Sequence, residues 1–476
     1  MISDSKTTQK FLNSTLNPRD FFYVVTFPKD ALAIENIFPY NIVCFDNHPI
    51  VDLILAEKIN IFSLDREAKD NPKRRSTSVL LKHPQTVKWI NSISQNPHII
   101  VFKPSPSLEA ICRQNNWKLI ANPAKLNRQI ENKINFTIII DKLSLPQPKY
   151  IIKKLNEINF NTIFKELGNG FFLQFPRGFA GSSTFQIKSE KELSQIQSEY
   201  LNYPTKFSTK IDGPTYTLNA CVTKNHQTII QKPFFQITNI PELNPSPGGT
   251  CGNIYSHQSC LPENKYLKPW DQNLSKIESI SFLNSPDIFN QINLSIINDA
   301  KIFGNYLSSL GYQGIFGLDF VIDQNTGKYY FIECNPRLTA SIPMISKLQI
   351  KNNEIPLIAI HILEFSNTPY ELSENSIHTI SQNPSMGSQI IFRNTTPNPI
   401  TPPIKLESGI YTLNQTPENI YELQEIVLHH SSDMLFLRPG KDIQDIKNEQ
   451  EFLILAEPSD KNISPDIEYL RIQTLV

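Results

Sequence analysis

Residues 311–341, GYQGIFGLDFVIDQNTGKYYFIECNPRLTAS, constrain the fold more than any other stretch of this chain. Two β-rich runs, Ile315–Ile322 and Lys328–Asn335, flank Asp323-Gln324-Asn325-Thr326-Gly327, which has the composition of a hairpin turn. With the turn centred on Thr326, Asp319 lies seven residues before it and Glu333 seven after, so the two face each other. Opposed side chains approach within about 5.5 Å on one sheet face. Asn335, two residues further, projects from that face as well. Like charges directly opposed destabilise a sheet unless something offsets them. A solvated surface pair fits poorly, because Leu318, Phe320, Phe331 and Ile332 imply a packed hairpin. Two carboxylates and an amide oxygen are the donor set of a hard cation, Mg²⁺ or Mn²⁺, with phosphate oxygens completing the octahedron.

Glycine marks the same part of the chain. Only 16 of 476 residues are Gly, against 35 Pro. The first is Gly168, and 13 of the 16 fall between 168 and 327. A Gly-rich dinucleotide fingerprint in the first third is therefore excluded, since it needs close backbone approach. Hydrophobic content of 39% supports real cores, and 45 basic residues balance 45 acidic ones. Zero net charge argues against a dedicated binder of nucleic acid or anionic membrane. No apolar run is long enough to span a bilayer, and the opening MISDSKTTQKFLNSTLNPRD lacks the layout of a signal peptide. Six scattered cysteines without a CxxC pair give no disulfide framework. A cytoplasmic protein is expected.

After a loose polar tail over 1–20, short apolar runs alternate with helical patterns. Phe22–Phe27, Ile42–Phe45, Ile99–Phe102 and Lys118–Ala121 are expected strands; 31–38, 49–57, 85–94 and 107–115 are expected helices. Continuous apolar runs between helices mark strands buried on both faces, hence a parallel sheet. A helix over 291–310 places Ile296, Phe303 and Leu307 on one face and ends at Gly311 in a left-handed cap. Gly178 and Gly181 with Ser182, Ser183 and Thr184 form a turn whose N–H groups can cradle phosphate. Gly248–Asn253 is a loop suited either to lining an acceptor site or to plain connection. Cys334 should face the core, and the histidines show no metal-ligand spacing.

The motif D-F…E-x-N-P-R after G-x-x-G resembles the ATP-grasp superfamily, particularly its biotin-carboxylase-like and carboxylate–amine ligase branches. The likeness extends over roughly 21–365. It implies a multidomain chain of α/β and α+β units: a pre-ATP-grasp parallel-sheet domain (21–128), a two-lobed ATP-grasp module (129–369, lid about 148–204) and a small C-terminal α+β domain (370–476). By that resemblance Asp319, Glu333 and Asn335 hold Mg²⁺ between ATP phosphates and Arg337 stabilises the transition state. Lys133, in Glu-Asn-Lys before Leu-Pro-x-Pro, takes the place of the first nucleotide-binding lysine. Phe171–Thr184 resembles the strand and phosphate loop of the lid, and backbone atoms of Thr209, Lys210 and Ile211 take the place of the adenine hinge.

Three positions depart from the family. Gln174 stands where a lysine is usual, and Arg177 is the neighbouring candidate for its charge. Ser208 and Thr215 replace acidic residues often found by the hinge, leaving Asp212 as a candidate ribose partner. The resemblance implies an ADP-forming ligase whose partners are a small carboxylate and an amine. Carboxylation through carboxyphosphate is the alternative, and a degenerate nucleotide-binding module is the third reading. Neither the two substrates nor the oligomeric state follows from these residues.

Overall fold

The computed structural model describes residues 1–68, 72, 74–168, 170–178, 184–200, 202–244, 248–255, 286–382, 386–413 and 420–475, of which 286–289 are described in backbone only. Among these residues the chain forms three sheets. The first is parallel, with β1 (Phe21–Val24), β2 (Asn41–Cys44), β3 (Ile61–Ser63), β4 (His98–Val101) and β5 (Lys118–Ile120) in the order β3-β2-β1-β4-β5. Its strands are buried on both faces, as their unbroken apolar runs require. Phe21 and Tyr23 enter one core with Ile42 and Ile100, while Phe22 and Val24 enter another with Val43 and Ile99.

A second, antiparallel sheet holds β6 (Tyr150–Lys154), β7 (Phe171–Gln174), β8 (Thr184–Ile187) and β9 (Pro204–Ser208), ordered β6-β9-β7-β8. Helices Phe160–Leu167 and Glu190–Tyr200 cover one face, where Ile163, Phe171, Leu173, Leu193 and Phe207 make a small core. Period-two alternation turns Gln174 and Lys206 to the other face.

The third sheet is the largest. It contains β10 (Thr215–Val222), β11 (Thr228–Ile230), β12 (Phe234–Thr238), β13 (Thr250–Tyr255), β14 (Gly314–Ile322), β15 (Tyr329–Asn335), β16 (Gly387–Arg393), β17 (Gly409–Leu413), β18 (Met434–Arg438), β19 (Glu451–Ala456) and β20 (Glu468–Thr474). The order is β15-β14-β10-β12-β13-β16-β20-β19-β17-β18, with β11 on β10. Helix Pro286–Ser309 lies across it, and Phe303 and Leu307 are fully buried with Phe316 and Leu318. Each such side chain contributes about 1.5–3 kcal/mol of burial free energy. Gly311 follows with φ +78°, the left-handed cap expected there.

Three local expectations are corrected. The presumed loose tail contains helix Ser5–Thr15, capped by Asp4, and Leu12 and Ile2 enter a core. Its buried face also carries Ser5 and Thr8, so the sequence looks more polar than its environment. No helix forms over 31–38: a 3₁₀ turn, Pro28–Ala31, ends at the first of these residues and turns follow. Residues 250–253 belong to β13 rather than to a loop. There Gly252 is required by close approach, because a Cβ would lie 2.0 Å from the Gln389 carbonyl oxygen on β16. This contact joins the C-terminal strands to the rest of the sheet.

Buried ion pairs fasten those strands to the first sheet. Lys29 lies 3.0 Å from Glu468 and 3.6 Å from Glu457, and Arg471 reaches Asp30 at 3.0 Å. Lys347, on helix Ile342–Lys351, pairs with Glu35 and, at 3.1 Å, with Asp442. That helix begins four residues after the Arg337–Leu338 step, so its anchorage bears on the site.

Candidate active site

The site is built from the hairpin upward. Asp319 on β14 pairs with Glu333 on β15, and Asn335 pairs with Gly317. Near the turn the register is one residue shorter, with Ile322 opposite Tyr329 and Phe320 opposite Phe331. A bulge at Asp319/Phe320 adds the missing residue and restores the expected pairing. Its signature is the three-residue spacing of Phe331 and Cys334, both buried in the same core. With Leu318 and Phe320 buried on the opposite side, Asp319 and Glu333 project from the other face, and Glu333 lines the neighbouring cleft.

Hydrogen bonds fix these side chains. Gln236 Nε2 donates to Asp319 Oδ1 at 3.2 Å, and Asn335 Nδ2 donates to Asp319 Oδ2 at 2.9 Å. Arg337 Nη2 donates to Asn335 Oδ1 at 2.8 Å. The Arg337 guanidinium also stacks on Phe102, 4.5 Å from the ring centroid, at the end of the parallel sheet. Its buried Nε lacks a hydrogen-bond partner and lies 3.8 Å from Glu131. Lys133, first residue of helix Lys133–Lys142, brings its ammonium 2.9 Å from Glu333 Oε2.

Charge is divided unevenly across the pair. Burial, then the Glu333 charge, push the Asp319 carboxyl up to about 6. Burial alone would raise Glu333 too, but Lys133, Arg337 and Lys206 hold it below the ordinary range. Two unit charges about 5 Å apart repel by roughly 3 kcal/mol at an effective dielectric near 20. A divalent cation between them reverses that sign. The donors are hard oxygens, partly open to the cleft (34% of the Glu333 side chain is exposed). They fit Mg²⁺ or Mn²⁺ bound together with phosphate oxygens.

A cleft of about 410 Å³ runs alongside, lined by Lys103, Glu131, Lys133, Arg177, Gly178 and Glu333. It therefore brings together Lys133, Arg177, Gly178 and Glu333 from the expected set. Gln174, in the second sheet, donates from Nε2 to the Thr184 hydroxyl at 3.2 Å. Gly181, Ser182 and Ser183 lie outside the described residues. Thr209, Lys210, Ile211 and Asp212 form the connection between β9 and β10. The Thr209 N–H already donates to the Lys149 carbonyl, and Lys210 is ion-paired to Asp212. Ser341 is buried and bonded to Asn219 and Thr339.

Sequence reasoning missed Lys206. It is only 3% exposed and lies directly across from Gln174 in the β7–β9 ladder. Burial first, then the Lys133 ammonium, lower it to about 8.

Fold and motif together define a chain with the ATP-grasp fold. It is similar to biotin carboxylase from Campylobacter jejuni solved with a β,γ-ATP compound, at 14% identity and TM-score 0.57, covering 96% of this chain and 87% of that one. The biotin carboxylase domain of 2-oxoglutarate carboxylase from Hydrogenobacter thermophilus, solved with MgADP, ADP and bicarbonate, matches at 12% identity and TM-score 0.56 over 96% and 86%. N5-carboxyaminoimidazole synthase from Aspergillus clavatus, solved with ADP and 5-aminoimidazole ribonucleotide, matches at 12% identity and TM-score 0.53 over 97% and 95%. No protein-family model and no curated protein sequence matches the chain.

Proposed function

We propose that this protein is an ATP- and Mg²⁺-dependent ligase that activates a carboxylate and joins it to an amine, releasing ADP and phosphate. The observation that carries this reading is the linked cluster of Asp319, Glu333, Asn335, Arg337 and Lys133, of which Lys133 and Glu333 line the cleft. Mg²⁺ would be held by Asp319, Glu333 and Asn335 and would supply neutralising charge to ATP phosphate oxygens. The substrate carboxylate oxygen attacks the γ-phosphorus and the bond to ADP breaks. The amine then attacks the acyl carbon, phosphate leaves, and the amine proton passes to solvent. Lys133 and Arg337 contribute fixed cations where charge spreads over the transferring group. By the resemblance, a lid that includes the segment around 178–184, of which 179–183 lie outside the described residues, would shield the acyl phosphate from hydrolysis.

Carboxylation of the amine is the second reading. It is favoured by the bicarbonate and 5-aminoimidazole ribonucleotide complexes of two similar structures. A cytoplasmic location belongs to the proposal; the five cysteines among the described residues are all free and buried, as in a reducing compartment. No helix among the described residues is long and apolar enough to cross a membrane.

Phosphate release, screened over small carboxylates, bicarbonate and amines, tests the proposal. ADP and phosphate should appear only when both an acid and an amine are present. Turnover that needs bicarbonate instead of an organic acid selects the second reading. Acid-dependent exchange of pyrophosphate into ATP means adenylylation and overturns both.

A further inference from the structure

We infer that Lys206 supplies the phosphate-binding positive charge that Gln174 lacks, so the lid keeps its cation on the strand next door. The inference rests on the nucleotide site proposed above. Its foundation is the register of the lid sheet, which is independent of the carboxylate hairpin.

Gln174 on β7 and Lys206 on β9 are opposed residues in an antiparallel pair. Opposed residues project from the same face, a few ångströms apart. The face is fixed by their neighbours: Leu173 and Phe207, also opposed, are both buried in the core under the helices. Gln174 and Lys206 therefore point away from that core, from the face on which Lys206 feels the charges of Lys133 and Glu333. Gln174 is occupied with Thr184, its partner on β8. The Lys206 side chain has no hydrogen bond or ion pair among the described residues, although only 3% of the residue is exposed. The charges that act on it are those of Lys133 and Glu333, members of the proposed site.

A lysine held this way is costly. A buried ammonium is retained in proteins when it is paired or meets a ligand. Here the nearest fixed anion, Glu333, is already bonded to Lys133 at 2.9 Å. A polyanion entering the cleft satisfies both ammonium groups at once, and nucleotide phosphates are polyanions of the right charge. Arg177, the alternative donor, is exposed on the cleft wall and is not forced to find a counter-charge. The residue that pays the desolvation cost is the one that needs the ligand.

Calorimetric titration with ADP, AMP and adenosine, each with Mg²⁺, tests the inference. The wild type should prefer ADP to AMP. Lys206→Met should weaken ADP by about tenfold to a hundredfold and leave adenosine within about twofold, with a melting temperature equal to or above that of the wild type. Adding Gln174→Lys to Lys206→Met should restore most of the ADP affinity, because the cation returns to the same face one strand over. If the wild type binds and Lys206→Met keeps the full preference for ADP, the inference fails alone. Equal loss for ADP and adenosine, unrelieved by Gln174→Lys, makes Lys206 a structural residue and also refutes it. If the wild type binds none of the three, the functional reading falls and takes the inference with it.

Discussion

Replacing Asp319 by asparagine is expected to lower ATP turnover by about a thousandfold or more while leaving the protein folded. A catalytic divalent ion contributes several kcal/mol to charge stabilisation in phosphoryl transfer, and about 4 kcal/mol corresponds to that factor. The change is nearly isosteric, and Gln236 can reverse its amide to face the new one. It removes half the negative charge that holds the cation. It also disturbs the relay from Arg337 through Asn335 to Asp319, whose links are 2.8 and 2.9 Å. Glu333→Gln should be equally severe, since it additionally strips Lys133 of its carboxylate partner. Steady-state phosphate release, with circular dichroism as the folding control, decides the matter. Retention of a tenth of wild-type activity in either variant would contradict a metal role for the hairpin.

Lys347→Met should be the most destabilising of the conservative core changes, by about 3–5 kcal/mol. Lys347 is 1% exposed and Glu35 is fully buried. Burial already pushes the Glu35 carboxyl up, against the pull of the Lys347 ammonium. Asp442 behaves oppositely: burial would raise it, but Lys347 and Lys441 bring it down to about 2. Removing the ammonium leaves Glu35 without its ion-pair partner and with only the weaker pull of Lys441, while Asp442 keeps Lys441 at 3.0 Å. The single variant therefore exposes the cost of one stranded carboxylate. Adding Glu35→Leu removes that carboxylate and should recover more than half of the loss, which a cycle of urea midpoints can measure. A cost under about 1 kcal/mol for Lys347→Met would show that the cluster does not hold the first sheet to the C-terminal strands.

The parallel sheet was legible because burial on both faces leaves an unmistakable mark, the continuous apolar runs of β1, β2 and β4. Asp319 and Glu333 were legible because the hairpin is local. Even there the turn-proximal register differs, and the bulge at Asp319/Phe320 brings the pair back into opposition. The spacing of Phe331 and Cys334 was the available clue. Lys206 was not legible, since its meaning depends on the pairing of β7 with β9 across an intervening strand and helix. The helix at Ser5–Thr15 was hidden by the polar residues it buries. The C-terminal strands carry no chemical motif, and their place in the large sheet depends on tertiary contacts such as Gly252 against Gln389.

Titration of the wild-type protein with ATP in a calorimeter, with and without Mg²⁺, tests the central claim most directly. The account predicts saturable binding that tightens at least tenfold when Mg²⁺ is present and loses that increment in Asp319→Asn. Binding of ATP with the same affinity in the presence of Mg²⁺ or of a chelator, or no binding at all, would contradict it.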